Sequence, residues 1–516
     1  MEQSSPAGAN MSTTGACLTC RDKHLKCDGN LAGCSRCSNL GLYCHFVPSR
    51  RGRRSQPAPL AGYTPSPAVD SLAHPQSTLP DLAFPIIPAD SFDPLSVSSR
   101  ADSQLVAIYY LHFHLAHPFL PPHNVFIQSS PPKYLLDLVE FISLHYLASH
   151  HVLDCLDNLQ TAVQDAELSV EKAQAHLLLS IILHAREQPE GAKESIARAI
   201  HCSLELGLHC REFSEALEMQ SPVRAESARR TWWEIFVIDT LLAAVQVEGI
   251  LQYTLEMPDV LLPCEEDKYH NGHLPGPAVT VNELGICSMF SENGDLSSFA
   301  YRVEAAIILR RCLLVSKTHV SQDSLDMLDA TISAWFHRFP SGKRVILQAN
   351  GEINELDLQA TTIMHCASIY LHFPKSFLLS FLPTTGHIFC SRPPSFSSPS
   401  ANPQIHTAKV VAAAVNLSKL ASLSTSVVNH SPFFACTLVL SSIIELAILS
   451  VHAQQPAGNY CSFLALNIGF LKSMGGIWAI AATSKARLRD VAIEIEAASS
   501  GRSKGLTLES QWFLSD

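Results

Sequence analysis

The sequence predicts two folded parts of very unequal size, a small cysteine-rich N-terminal module and a large all-α domain, joined by a disordered proline-rich linker. Three features carry this prediction: six regularly spaced cysteines, ten prolines between Pro48 and Pro94, and helical periodicity from about Ser103 onward. With 516 residues, 47% hydrophobic and 16% charged, most of the chain must be globular. We expect a disordered tail at 1–15, the module at 16–48, a linker at 49–102, the helical domain at 103–500 and a flexible tail at 501–516.

Charge is distributed unevenly along the chain. The formal net charge is −11, yet residues 17–54 contain eight bases and two acids, a local balance of +6 that leaves −17 for the remainder. A basic segment on an acidic chain is typical of a protein in which only that segment contacts phosphate. The eight bases are Arg21, Lys23, Lys26, Arg36, Arg50, Arg51, Arg53 and Arg54.

The linker is defined by its prolines. Proline fixes φ and removes a backbone donor, so residues 49–102 cannot form a continuous helix and are expected to be extended and largely disordered. The same spacing excludes a coiled coil directly behind the module, because no heptad series runs through it.

Helical periodicity begins beyond the linker, and no convincing β alternation is present. Two apolar series flank Pro189 and Gly191 and predict a helical hairpin, with Gly207 at the place of a left-handed helix terminator. The two series are Leu177, Leu178, Ile181, Ile182 and then Ile196, Ile200, Leu204, Leu208.

Two further segments are helical by the same criterion. Residues 226–246 place one apolar side on a helix, and Trp232 and Trp233 are expected to be core residues rather than a ligand cage. That side consists of Trp233, Phe236, Val237, Thr240 and Leu241. The apolar run 433–451 is nearly long enough to span a bilayer, but Glu445 near its middle favours a buried helix and no membrane contact.

The six N-terminal cysteines are spaced C-x2-C-x6-C-x6-C-x2-C-x6-C, two copies of one pattern: Cys17, Cys20, Cys27, Cys34, Cys37 and Cys44. Closed sulfur sites of this kind hold zinc by default, although thiolates also admit copper(I) or iron. Two tetrahedral zinc ions need eight ligand positions, which six sulfurs fill only if two of them bridge. By symmetry the bridges are Cys17 and Cys34, the first cysteine of each half.

Two alternatives to bridging remain open. His24 and His45 would raise the ligand number to eight, but His45 adjoins Cys44 and His24 faces away from the first cysteine pair. Disulfides are disfavoured because the first sixteen residues lack the pattern of a signal peptide, which leads us to expect reduced thiols. The other ten cysteines, from Cys155 to Cys461, have no paired spacing and are expected to be small buried hydrophobic residues.

The segment ACLTCRDKHLKCDGNLAGCSRCSNLGLYC resembles the DNA-binding domain of the fungal binuclear zinc cluster family, of the galactose-regulator type. The resemblance implies two short helices around a two-zinc, six-cysteine cluster, with Lys23 and His24 reading a CGG-like triplet. Arg21, Lys26 and Arg36 match residues that hold phosphates. The chain departs from the family at His24, which stands where lysine is usual, and at Ala32, which stands where proline is common; Gly29 and Gly33 are expected to allow the turn.

Residues 170–270 are similar to the fungal-specific transcription factor regulatory domain, which usually accompanies this cluster and acts as a sensing and repression module. The resemblance therefore implies a nuclear, zinc-dependent, sequence-specific transcription factor of the type that regulates a secondary-metabolite gene cluster. Dimerisation through the helical domain is a further expectation. The alternative is a regulator that uses the cluster as a protein-interaction module without specific DNA binding.

Three smaller features complete the sequence-based expectations. The bases Arg50, Arg51, Arg53 and Arg54 around Gly52 suit phosphate contact, a minor groove or a nuclear import signal. Residues 508–516 mix acidic and large apolar side chains, which suits binding to a coactivator, although a frayed end fits equally well. No helical HExxH, GxSxG or phosphate-binding glycine loop is present, so nothing supports an enzyme.

Overall fold

The chain divides into two compact units, Met1–Pro88 and Ala89–Asp516. A computed structural model of the protein describes residues 20, 26–28, 34–39, 99–147, 155–246, 250–253, 257–272, 279–284, 296–315, 321–344, 346–347, 351–381, 402–423, 426–451 and 460–500. Residues 49–98, which make up nearly all of the expected linker 49–102, lie outside the described residues. The tails 1–15 and 501–516 lie outside them as well.

The first unit contains one described helix, α1 (Ser35–Asn39). The described secondary structure of the second unit is almost entirely helical, and its first helix begins at Ser99, four residues before the expected start of the domain. Its earlier helices are α2 (Ser99–Ile108), α3 (His123–Gln128), α4 (Lys133–Leu144), α5 (Leu156–Asp165), α6 (Val170–Ala185), α7 (Pro189–Leu206), α8 (Arg211–Glu218), α9 (Pro222–Val245) and α10 (Glu266–His270).

The later helices complete one large apolar core together with the earlier ones. Among the described residues no strand occurs, and the only extended pairing is an isolated antiparallel bridge between Leu347 and Ile353. The prediction of a large helical domain is thereby confirmed. The later helices are α11 (Ser298–Val315), α12 (Gln322–Arg338), α13 (Ser341–Arg344), α14 (Glu355–His372), α15 (Pro403–Ala421), α16 (Phe433–Val451), α17 (Tyr460–Met474) and α18 (Ala479–Ser500).

Helices α6 and α7 form the predicted hairpin. Helix α7 begins with Pro189, whose missing N–H costs nothing in the first turn. It ends at Gly207, which has φ +80° in the left-handed region, and the N–H of Leu208 donates to the carbonyl of Ser203 at 2.9 Å. This is the glycine terminator expected from the sequence. Gly191 does not interrupt the helix; it lies in the first turn, where an added Cβ would be 3.3 Å from a Leu183 methyl.

Helix α9 is buried on nearly all sides and not only on the apolar side that the sequence predicted. Its polar residues Glu234 and Asp239 are as buried as Trp232 and Trp233. The two tryptophans are core residues, as predicted. A helix with charged groups on a buried face needs partners for them, because an unpaired buried charge is very costly.

Helix α11 supplies those partners. The guanidinium of Arg302 holds the carboxylate of Glu234 with two hydrogen bonds, one of them 2.8 Å long, and Arg310 lies 3.2 Å from Asp239. The Nδ1 atom of His117 lies 2.7 Å from Oε1 of Glu234, the same oxygen that accepts from Arg302 at 2.8 Å. Burial by itself raises the pKa of Glu234, but Arg302 and His117 outweigh it and lower that pKa to about 2. The carboxylate is therefore ionised throughout the physiological range.

Arg302→Met removes the cation while leaving Glu234 fully buried. We expect unfolding of the helical domain to become easier by about 3–5 kcal/mol, the usual cost of breaking a buried ion pair. Arg198→Met is the matched control, because Arg198 pairs with Glu194 at the surface, where the loss is below about 1 kcal/mol. Urea unfolding of both variants in the full chain tests this, and equal midpoints would contradict it.

Helix α16 is the run 433–451 that the sequence marked as a buried helix. Among the described helices it is the one long and apolar enough to cross a membrane, and 83% of its most apolar window is buried within the fold. Glu445 at its middle is fully buried. The prediction of a buried helix is confirmed.

Glu445 is held by neutral groups only. Ser418 donates to one carboxyl oxygen at 2.6 Å, and the Asn467 amide lies 3.2 Å from the other. Within the described part of the chain no base forms an ion pair with it. Burial raises the pKa of Glu445 from its usual value near 4.5 to about 8, although the Ser418 hydrogen bond opposes the rise.

Glu445→Gln should stabilise the protein increasingly as the pH rises. The folded state keeps the proton that the unfolded chain loses above about pH 4.5, so stability contributed by neutral Glu445 is complete at low pH and is lost up to about pH 8. The slope is at most about 1.4 kcal/mol per pH unit. Unfolding midpoints of wild type and variant between pH 5 and 8 measure it; a constant difference would show that Glu445 is not protonated in the fold. Glu194→Gln, at an exposed site, is the control.

Candidate metal centre

The described cysteines of the first unit have their sulfur atoms close together. The sulfurs of Cys20, Cys27 and Cys34 all lie within 4.8 Å of one another. The Cys20 sulfur is 3.7 Å from that of Cys34 and 4.0 Å from that of Cys37. Cys20, Cys34 and Cys37 are buried, and Cys27 packs beside them.

These distances fit a sulfur-coordinated zinc ion. A tetrahedral zinc with Zn–S bonds of about 2.3 Å places its ligand sulfurs about 3.8 Å apart. A disulfide would bring two sulfurs to about 2.05 Å, so the 3.7 Å between Cys20 and Cys34 excludes a bond between those two. The residues present can therefore hold zinc through thiolates from both halves of the cysteine pattern.

The start of α1 orients the second cysteine pair. Cys34 precedes the helix and Cys37 lies within it, and the N–H of Cys37 donates to the sulfur of Cys34 at 3.4 Å. The first N–H groups of a helix have no partner inside the helix. The Cys34 sulfur satisfies one of them, which is why a C-x2-C pair fits a helix start. Cys34 thus pairs locally with Cys37 while it lies beside Cys20 and Cys27.

Two of the predicted phosphate contacts lie on the described surface. Lys26 and Arg36 are both exposed, Lys26 next to Cys27 and Arg36 on α1. The remaining predicted site residues fall outside the described residues: Cys17, Cys44, Arg21, Lys23, His24, Arg50, Arg51, Arg53 and Arg54. The alternative ligands His24 and His45 and the turn residues Gly29, Ala32 and Gly33 lie outside them as well.

Sequence reasoning missed one contact in this unit. The carboxylate of Asp28 accepts hydrogen bonds from the backbone N–H of Ser35 at 3.0 and 3.3 Å. The Ser35 hydroxyl donates to the same carboxylate. The available signal was the position of the two residues, since each directly follows a cysteine of the pattern.

A second group of ligand-type side chains occurs in the helical domain. The group consists of Cys210, Glu212 and Asp259, whose possible ligand atoms all lie within 4.8 Å of one another and so could bind one metal ion. Asp259, however, accepts the N–H of Arg211 at 3.1 Å, at the start of α8. Both carboxylates are exposed, and a surface cap of α8 accounts for the arrangement. The other described cysteines of this unit are buried at Cys202, Cys312, Cys366 and Cys436 and half-buried at Cys155, Cys210, Cys264 and Cys461.

Comparison with known proteins gives two family matches. Residues 15–54 match the fungal Zn(2)-Cys(6) binuclear cluster domain, and residues 82–301 match the fungal specific transcription factor domain. The chain is also 27% identical to the C6 finger domain transcription factor iacK of Pestalotiopsis fici, over 95% of this chain and 82% of that protein. No solved structure matches significantly.

The sulfur geometry and these matches define the class of protein. It is a DNA-binding transcription factor whose N-terminal domain binds two zinc ions through six cysteines. The chain carries both domains that are characteristic of the fungal zinc cluster transcription factors, and nearly all of the regulatory match lies in the helical unit. The regulatory match is wider than the similarity visible at residues 170–270, because it extends from 82 to 301.

Proposed function

We propose that the protein is a pathway-specific activator or repressor that binds CGG-like triplets in double-stranded DNA. The observation that supports this most directly is the position of Cys34. It belongs to the second cysteine pair yet lies beside Cys20 and Cys27 of the first half. Such a sulfur can serve two metal ions at once, and a bridged cluster forms one rigid body that fits a DNA groove.

In this proposal all six cysteines are ligands, and Cys17 and Cys34 are the bridges. Cys20 and Cys27 complete the first tetrahedron, while Cys37 and Cys44 complete the second. Six thiolates and two zinc ions sum to a charge of −2, which the +6 of residues 17–54 outweighs. The balance near the metals therefore favours approach to phosphate.

The basic residues around the cluster fall into two groups, those proposed to contact nucleobases and those proposed to contact phosphates. We assign Lys23 and His24 to nucleobase edges in the major groove, because the resemblance places them at the base-reading positions of the family and both side chains can donate hydrogen bonds to guanine. We assign Arg21, Lys26 and Arg36 to phosphates; Lys26 and Arg36 are exposed and so available for this. Arg50, Arg51, Arg53 and Arg54 extend the phosphate contact and act in nuclear import.

The remaining proposals concern the rest of the chain. The layout resembles that of local regulators of secondary-metabolite gene clusters, so we propose one biosynthetic pathway as the target. We further propose nuclear localisation, a coactivator contact through residues 508–516 and dimerisation through the helical unit. A genome-wide binding profile identifies the pathway, because a local regulator concentrates at one gene cluster.

The bridging assignment is tested by comparing Cys34→Ala with Cys37→Ala in the full chain. Loss of a bridge removes a ligand from both metal ions, whereas loss of Cys37 removes a ligand from one. We expect the Cys34 variant to lose both zinc ions and the Cys37 variant to retain about one, by metal analysis of purified protein. If His24 and His45 were ligands instead of bridges, the two variants would lose the same amount. Cys155→Ala, outside the cluster, is the control and keeps two ions.

DNA recognition is tested with CGG-containing and scrambled duplexes over a range of salt. Lys23→Ala should weaken binding to the CGG duplex by about 1–3 kcal/mol and reduce its preference over the scrambled one, as expected for a base contact. Arg36→Ala should weaken both duplexes alike and lower the slope of log K against log salt by about one.

Lys268→Ala removes an exposed base of the helical unit and is the matched control for both variants. Equal affinity of the wild type for the two duplexes at moderate salt would favour the protein-interaction alternative. A binding constant independent of salt would contradict the phosphate contacts.

A further inference from the structure

The contact between Asp28 and Ser35 joins the two halves of the cluster. Asp28 directly follows Cys27, the third cysteine, and Ser35 directly follows Cys34, the fourth. One carboxylate takes both hydrogen-bond donors of Ser35, the backbone N–H at 3.0 and 3.3 Å and the side-chain hydroxyl. We call this contact the Asp28–Ser35 clamp. It ties together the ends of the segment 29–33 that connects the halves.

The clamp lies directly beside Cys34, the cysteine proposed above to bridge the two metal ions. Ser35 is the first residue of α1, and its N–H lies at the end of the helix where a negative charge is favourable. Fixing Ser35 also fixes Cys34, the adjacent residue, whose sulfur lies 3.7 Å from that of Cys20. The two residues therefore act on zinc through their neighbours in the chain and not by touching the metal.

The connecting segment itself gives a reason for such a contact. It carries Ala32 where the family commonly has proline, and alanine does not restrict φ as proline does. A segment without that restriction loses more conformational entropy when its ends are brought together. A charge-assisted contact across its ends offsets this loss.

We propose that the Asp28–Ser35 clamp is a positioning element that holds Cys34 in reach of both metal ions and so slows zinc loss from the cluster. This inference rests on the proposed ligand set. Outer partners that orient metal ligands typically contribute roughly 10–100-fold to metal affinity. The clamp is placed to contribute in this way through the backbone of Ser35.

The test is the rate at which full-length protein loses zinc to an excess of a chromophoric chelator. Asp28→Ala removes both acceptor oxygens, and we expect zinc release to be roughly 10-fold faster than in the wild type. Asp28→Asn removes the same charge but keeps one acceptor oxygen, so its rate of zinc release should lie between those of the wild type and Asp28→Ala. Ser35→Ala removes only the hydroxyl and keeps the N–H, and a roughly threefold increase is expected because one of the hydrogen bonds is lost.

The charge change makes DNA affinity alone an unsuitable readout. Removing Asp28 takes away a negative charge beside the bases, which by itself strengthens binding to DNA. Comparison of the Ala and Asn variants removes this effect, because both carry the same charge. Asn39→Ala, at the exposed far end of α1, is the control and should release zinc at the wild-type rate.

The possible results distinguish failure of the clamp proposal from failure of the proposed zinc ligand set. If the wild type binds two zinc ions and Asp28→Ala releases zinc as slowly as the wild type does, the clamp proposal is refuted while the zinc ligand set is retained. If the Ala and Asn variants release zinc equally fast, charge and not hydrogen bonding is responsible, and the clamp is again overturned. A wild type that binds fewer than two zinc ions refutes the ligand set itself.

Discussion

Bonds between thiolate sulfur and zinc carry the fold of the N-terminal module. A segment of some thirty residues cannot bury enough apolar surface to fold alone, and metal binding then supplies the free energy of folding. The described interior of this unit consists of Cys20, Cys34 and Cys37, with Cys27 packed against them. The groups that would form a hydrophobic core in a larger domain are here the metal ligands. The exposed basic residues Lys26 and Arg36 lie directly beside these cysteines, so their positions depend on where the sulfurs are held.

The helical unit is stabilised differently, although it also depends on buried charge. Its apolar core extends through nearly all of its helices. Helix α9 crosses this core carrying Glu234 and Asp239, and α11 meets them with Arg302 and Arg310. A pair of helices joined only by apolar contacts can slide or rotate at small cost, whereas a two-hydrogen-bond contact between Glu234 and Arg302 has one good geometry. The ion pairs thereby define the relative placement of the two helices.

Much of this organisation could be predicted from local sequence. The cysteine spacing predicted the cluster, Gly207 predicted the end of α7, and Glu445 marked the apolar run 433–451 as a buried helix. These predictions succeeded because each rests on residues close together in the chain. Glycine adopts the left-handed conformation that ends a helix at no steric cost, and closely spaced cysteine pairs at this spacing suit metal coordination.

The failures concern contacts between distant residues. Glu234 and Arg302 are 68 residues apart, and nothing local shows that they meet. The periodicity of α9 predicted an apolar side and gave no indication that Glu234 on the same helix would also be buried. Asp28 and Ser35 are only seven residues apart, yet their contact requires the connecting segment to close. The positions of Asp28 and Ser35 directly after two cysteines of the pattern are the sequence signal for the contact, but position alone does not show that the two side chains meet.

The two units should therefore respond to different perturbations. Zinc removal acts on the module through its sulfurs, while the described core of the helical unit contains no comparable metal-dependent cluster and is held by apolar burial and internal ion pairs. Urea weakens apolar burial directly but has no special affinity for a thiolate–zinc bond. Loss of zinc is therefore expected to unfold the module while the regulatory unit stays folded.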